Sequence, residues 1–314
     1  MAASDPGRSY GLTSDEEPIA GLARVAAGRA EQALERLRAS LAGEAGTAEA
    51  VHGARKDMKK LRTVLRLLRA ELGSKRCKRA NRRCRDAGRA LSASRDAEVK
   101  LATLDALAEQ QGALPAAAVD AWRKILERDR DAAADGPGEE RAIEEAISLI
   151  AAGLQEVESW EFGDDRWKPV GSGLERTHRR GRRAMKAARR GGGEADFHHW
   201  RKRAKDHWHE LRLFSSAWPG PLEALAEEAH RLSEQLGDHH DLAVLREDLR
   251  GRNLGEAETA ALEAAIDRRQ EELAVAAFAL GARLYAERPK DFSRRLREYW
   301  EARRLSNPEV GKSA

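Results

Sequence analysis

His52, Arg55, Lys59, Arg62, Arg66 and Arg69 recur three and four residues apart, beginning in the segment VHGARKDMKKLRTVLRLL (51–68). On a helix these residues form one cationic stripe, about 21 Å long from His52 to Arg66 at 1.5 Å per residue. Displaced by 146 positions, FHHWRKRAKDHWHELRLF (197–214) aligns with that segment without a gap. His52 matches His198, Arg55 matches Arg201, Lys56 matches Lys202, Lys59 matches Lys205, Leu65 matches Leu211, Arg66 matches Arg212 and Leu67 matches Leu213. Most identities are cationic or titratable, whereas a repeat kept only to fold would show itself in its apolar positions. Arginine forks onto phosphate oxygens and lysine supplies a mobile point charge. The chemistry these types and spacings support is therefore the binding of an anion on a duplicated surface.

The stripe needs a helix with a buried seam beside it. Val51, Ala54, Met58, Leu61, Leu65, Leu68 and Leu72 have that spacing, one residue out of step with the cations. In the second segment the seam is Phe197, Trp200, Ala204, His207, Leu211, Phe214 and Trp218, and the stripe is His198, Arg201, Lys205 and Arg212, interrupted by Trp208. His207 reads as a satisfied packing residue and His209 as solvent exposed. Two departures, Trp208 for Arg62 and Asp206 for Lys60, predict that the walls differ. Arg179, Arg180, Arg183 and Lys186, just before the second segment, also have three-four spacing, as do Arg76, Arg79, Arg82 and Arg83 after the first. Each set fits a further wall or an ordinary solvated face.

Glycine and proline punctuation predicts ten helices near 18–42, 48–72, 75–110, 114–133, 139–160, 172–190, 194–217, 220–250, 256–287 and 290–304. No β-branched alternating run suggests a sheet. The expected architecture is all-α, two antiparallel helical bundles from an internal duplication. The halves are placed at 18–162 and 174–305, with a linker at 163–173 and mobile tails at 1–17 and 306–314. Net charge is only +4, but residues 51–85 carry 14 Lys and Arg against two acids, and residues 176–212 carry 13 against four. The rest of the chain sums to −17, from +4 less +12 and +9, so positive charge is focused into two blocks. Cys77 and Cys84, seven apart on one expected helix, lie roughly 10 Å apart by helical rise, beyond disulfide reach. With no apolar signal core or membrane-length run, the protein is expected to be soluble and cytoplasmic.

The spacing His-x2-Arg-x3-Lys followed by Leu-Arg-Leu resembles the CHAD domain, the conserved histidine α-helical domain. LSEQLGDHHDLAVL (232–245) is similar to a second family motif, and RALSASRDAEVKL (89–101) stands as its first-half partner, with Arg95 and Asp96 in place of His240 and Asp241. The resemblance spans about residues 18–305. It implies two pseudosymmetric four-helix bundles whose basic helices face each other across a central cavity that binds inorganic polyphosphate, for which phosphate or sulfate ions would substitute in crystals. It also implies a location at polyphosphate granules, as for some bacterial members. The ExExK motif of the CYTH triphosphatase that often accompanies the family does not occur here, and no enzymatic activity is expected. Expected ligand-binding residues are His52, Arg55, Lys56, Lys59, Arg62, Arg66, Arg179, Arg180, Arg183, Lys186, His198, Arg201, Lys202, Lys205 and Arg212. Neighbouring cations disfavour protonation of His52 and His198 until phosphate is bound. Asp238, His239, His240 and Asp241 are adjacent and point about 100° apart on a helix, so no metal site or cofactor is expected; Asp241 and Asp96 would orient neighbouring cations. Two other functions compete, a histidine-dependent phosphate transfer or phosphorelay, and nucleic-acid binding, which the scarcity of stacking aromatics in the stripes disfavours.

Overall fold

The computed structural model describes residues 9–91, 95–110, 114–134, 138–163, 167–252 and 255–303. Among these residues eleven helices and no strand occur: α1 (Pro18–Leu41), α2 (Thr47–Leu67), α3 (Arg69–Ala90), α4 (Arg95–Gln110), α5 (Ala116–Ala134), α6 (Glu139–Glu158), α7 (Trp167–Gly191), α8 (Glu194–Leu213), α9 (Pro219–Arg250), α10 (Glu256–Leu284) and α11 (Pro289–Ala302). Proline opens α1, α9 and α11, where its missing N–H costs no intrahelical bond. Gly73 breaks α3 after its first turn with φ 75°, a backbone conformation that glycine adopts without strain. The single helix expected over 75–110 is two, α3 and α4.

Both predicted seams are buried over their helices. Val51, Ala54, Met58, Leu61, Leu65, Leu68 and Leu72 are all at most 7% exposed, as are Phe197, Trp200, Ala204, His207, Leu211 and Phe214. Trp218 is the exception at 49%: α8 has ended at Leu213, and the 3₁₀ turn Ser215–Ala217 carries the chain off its axis. Three further expectations need correction. His209 is buried, because Tyr10 covers it, donating its hydroxyl hydrogen to the His209 carbonyl at 3.2 Å. The linker assigned to 163–173 is helical from Trp167, with Val170, Gly171 and Gly173 buried. Within the tail assigned to 1–17, Tyr10 and Leu12 are core residues, and the Leu12 N–H bonds the Leu213 carbonyl at 2.9 Å. The other tail, 306–314, lies outside the described residues.

Several helix pairs recur in both halves, although α3 also packs on α6 and α9 does not pack comparably on α11. Helix α1 packs on α2, α2 on α3, α1 on α6 and α4 on α5; likewise α7 packs on α8, α8 on α9, α7 on α11 and α9 on α10. The cores do not respect the boundary between halves. One joins α1, α2, α3, α6, α7, α8 and α11 with the start of α9 and the end of α10. The other joins α4 and α5 with the end of α9 and the start of α10 around Trp122, Leu245, Leu249 and Ile266. At Gly173 a Cβ would stand 2.8 Å from the Leu67 Cα, so only glycine lets α7 lie against the C-terminal end of α2. That crossing brings three basic helices, α2, α7 and α8, together.

Candidate anion-binding site

Between α2 and α3 runs an open groove of ≈ 270 Å³ lined by Arg55, Met58, Lys59, Arg62, Cys84, Arg85, Gly88 and Arg89. Five of these residues are cations and none is an acid. Arg55 and Arg62 are held on its α2 side: Arg55 donates to the Leu91 carbonyl at 2.9 Å and Arg62 Nε to Asn81 Oδ1 at 2.9 Å. Burial, then the neighbouring Arg66, with Arg203 adding, pushes the Arg62 guanidinium below its ordinary range, against Asp206 and Cys84. Arginine keeps its charge in proteins, so the crowding raises the free energy of the protein by itself and favours an arriving anion. Cys84, at the floor, has its thiol pushed up to about 12 by burial and is neutral, hence no nucleophile.

Arg62, which lines the groove, also stands near Lys202, Arg203 and Asp206 of α8. Lys202 is lowered by burial, then by Arg203 and Arg62; Arg203 is lowered by burial and by Arg66 and Arg180, with Asp206 opposing. Arg176 of α7 donates to the Arg66 carbonyl and is itself depressed by burial, Arg69 and Arg180. At the centre Asp206, its side chain 6% exposed, takes Arg66 from α2 and Arg203, 3.1 Å away, from its own helix. The helices thus meet directly at this point instead of facing each other across open space. Glu210 one turn on is fully buried, and burial pushes its carboxyl well above the usual range, against Thr177, Arg66 and Arg176.

Position 57 matches position 203 and position 60 matches position 206 in the gapless alignment, and the charges are exchanged. In α2 the acid comes first: Asp57 holds Lys60 at 3.6 Å and also Arg29 at 3.1 Å and Arg36 at 3.5 Å. In α8 the base comes first, and the acid reaches across to α2. One helix therefore uses its buried carboxylate to bind α1, the other to bind its counterpart.

The second segment is organised differently from the first. His198 lies against His240 of α9, ring centroids 4.2 Å apart, and Arg201 stands 4.0 Å from Asp241, so Asp241 does face a cation of the stripe. The side chains of Arg95 and Asp96 lie outside the described residues. Trp208, in the place of Arg62, packs on His230 at 4.1 Å, and Arg212 lies over Tyr10 and Trp208 at 5.4 and 5.5 Å. Where Arg62 lines the groove between α2 and α3, the matching position between α8 and α9 is taken by the paired rings of Trp208 and His230. His239 stacks on Phe197 at 4.1 Å, so the run Asp238 to Asp241 points to separate neighbours.

Of the expected site residues, Arg55, Lys59 and Arg62 converge in the groove, with Lys202 near Arg62. Arg66 and Arg212 are engaged in packing contacts. His52 is half-buried at the start of the stripe and Lys56 exposed. Arg180 approaches His199 and Arg203 from α7, while Arg179 pairs with Glu175 at 3.5 Å on the same helix and Arg183 and Lys186 are exposed. On α3, Arg79 and Arg83 turn away to Glu156 of α6; the groove takes Arg85 and Arg89 instead. A signal existed for the first of them. Ala80 and Cys84 are buried seam residues, and Arg85 follows the seam by one residue, as the stripe does on α2, with Arg89 one turn on, whereas Arg79 and Arg83 precede it. Arg176 and Arg203 had no such signal, because they are placed by the α7 and α8 crossings.

No described helix is long and apolar enough to cross a membrane. The CHAD domain profile matches residues 24–250. Among solved structures, PptA from Streptomyces chartreusis is similar with a TM-score of 0.60 at 16% identity, covering 87% of this chain and 100% of that one. The crystal structure of the CHAD domain from the plant Ricinus communis is similar with a TM-score of 0.55 at 19% identity, covering 96% of this chain and 98% of the other. No curated protein sequence matches. At these identities the two structures speak for the fold alone, but with the profile spanning most of the sequence, groove and helix crossing included, the chain belongs to the CHAD domain family.

Proposed function

We propose that this protein binds inorganic polyphosphate along the groove between α2 and α3 and onward over Lys202 and Arg203, as a binding module that carries out no reaction. The observation that carries this is the groove lining: Arg55, Lys59, Arg62, Arg85 and Arg89, without an acid or a ring among them. A linear polyanion of closely spaced charges and no bases calls for a row of forked donors and point charges, and offers nothing to stack. The groove is open at its surface, which suits a chain that extends beyond it. Family membership supports the same ligand, since the CHAD resemblance implies polyphosphate, and residence at cytoplasmic polyphosphate granules would follow from such binding.

The test is competition at matched phosphate concentration and moderate salt between long-chain polyphosphate, single-stranded RNA and duplex DNA. Polyphosphate is expected to displace both nucleic acids. Equal competition, or preference for RNA or DNA, would replace this proposal with a nucleic-acid interface. A phosphorelay role has less support: burial, His240 and the cations Lys202 and Arg201 hold His198 down at about 4, and among the described residues no carboxylate pairs with its ring.

A further inference from the structure

Outside the groove, the cluster where α8 meets α9 has an arrangement that a permanently charged site does not need. Two imidazoles, His198 and His240, lie in contact at 4.2 Å between centroids with their planes 37° apart. Both are half-buried, and the His198 Nδ1 is buried without a hydrogen-bond partner. After burial, His198 is lowered first by His240 of α9 and then by Lys202, Arg201 and His199 of its own helix, and His240 by Arg201, Lys202 and Lys205 of α8. From α9 each ring meets the other, and the Asp241 carboxylate lies 4.0 Å from Arg201. His239, next in sequence, is turned under Phe197 and faces Arg246.

We propose that His240 of α9 joins His198, Arg201 and Lys202 in one phosphoryl-binding cluster that takes up protons from solvent as it binds, so that this half of the protein engages polyphosphate in a pH-dependent way. The inference rests on the polyphosphate reading and adds regulation to it. In the protein by itself burial and the neighbouring cations keep both imidazoles below their ordinary range, His198 at about 4, so at neutral pH they are uncharged. A phosphoryl oxyanion placed among them reverses the sign of the nearest charge and accepts a hydrogen bond from the protonated ring, which raises both values. Between the value of the free protein and that of the complex, binding consumes protons, and affinity rises as pH falls. Below about 4 His198 is protonated in both states, and its contribution to the pH dependence ends.

Calorimetry with long-chain polyphosphate, whose interior phosphates do not titrate in this range, measures the linkage in two buffers of different ionisation enthalpy from pH 5 to 8. Proton uptake is expected, with affinity tightening about tenfold per pH unit for each proton taken up. His198→Gln with His240→Gln is expected to flatten that dependence, whereas His230→Gln, outside the cluster, keeps it. Imidazole titration by NMR in the wild type provides a check independent of any variant: His198 moves up from near 4 when polyphosphate is added. Binding with no proton uptake, or a pH dependence that survives the double substitution, overturns this inference alone; no binding of polyphosphate at any pH overturns the proposed function beneath it.

Discussion

Replacing Arg85 and Arg89 together with glutamine removes two of the five cations that line the α2–α3 groove and leaves the buried seam of α3 untouched. Polyanion binding releases counterions, and for single strands the slope of log affinity against log salt is about −0.7 per neutralised phosphate. Five contacts give a slope near −3.5, and three give about −2.1. Between 50 and 200 mM salt the groove's share of the loss in affinity for polyphosphate should therefore be roughly 130-fold in the wild type and only about 18-fold in the variant, a difference in slope of about 1.4 that other contacts leave unchanged. The assay is a titration followed by fluorescence anisotropy at four or five salt concentrations. Arg79→Gln with Arg83→Gln is the control, equal in charge and on the same helix but turned to Glu156. That control should keep the wild-type slope. If both variants changed the slope equally, binding would depend on overall charge, and the assignment of the groove would be refuted.

Asp57→Ala strips Arg29, Arg36 and Lys60 of their shared carboxylate and should cost about 3–5 kcal/mol, the usual penalty for orphaning a buried charge, read by urea denaturation. Glu210→Gln should stabilise the protein increasingly as pH rises above 4.5: the folded carboxyl keeps its proton while the unfolded one loses it, a cost bounded at about 3.4 kcal/mol at pH 7. A melting temperature lowered equally at all pH values would show instead that the native carboxyl is ionised. Asp206→Asn leaves Arg66 and Arg203 short of their anion; it should lower the melting temperature and enlarge the increase that polyphosphate produces, because the ligand then supplies the missing charge.

Much of this was legible in the residues, because helices announce themselves by period and punctuation. The two seams and the cations beside them follow from three-four spacing alone, and Asp206 and Trp208 marked the second wall as different before any contact was known. What could not be read is where helices cross. Arg66 carries the same spacing as Arg62, yet it is drawn out of the stripe by an acid 140 residues away. Arg176 and Arg203 gain their place from the close approach at Gly173 and the swap of charges between positions 57 and 60 and positions 203 and 206. The tail Tyr10–Leu12 lacked periodicity, but periodicity reports helices, and this segment is fixed by burial against α8 and by Arg24, which bonds the Gly11 carbonyl at 2.9 Å and Glu16 at 2.6 Å.

The structure of the complex with long-chain polyphosphate tests the central claim most directly. Phosphates seated along α2 and α3 against Arg55, Lys59, Arg62, Arg85 and Arg89, and leading on to Lys202 and Arg203, are the predicted result. Phosphates confined to the exposed face of α7 at Arg179, Arg183 and Lys186, with the groove untouched, would contradict it.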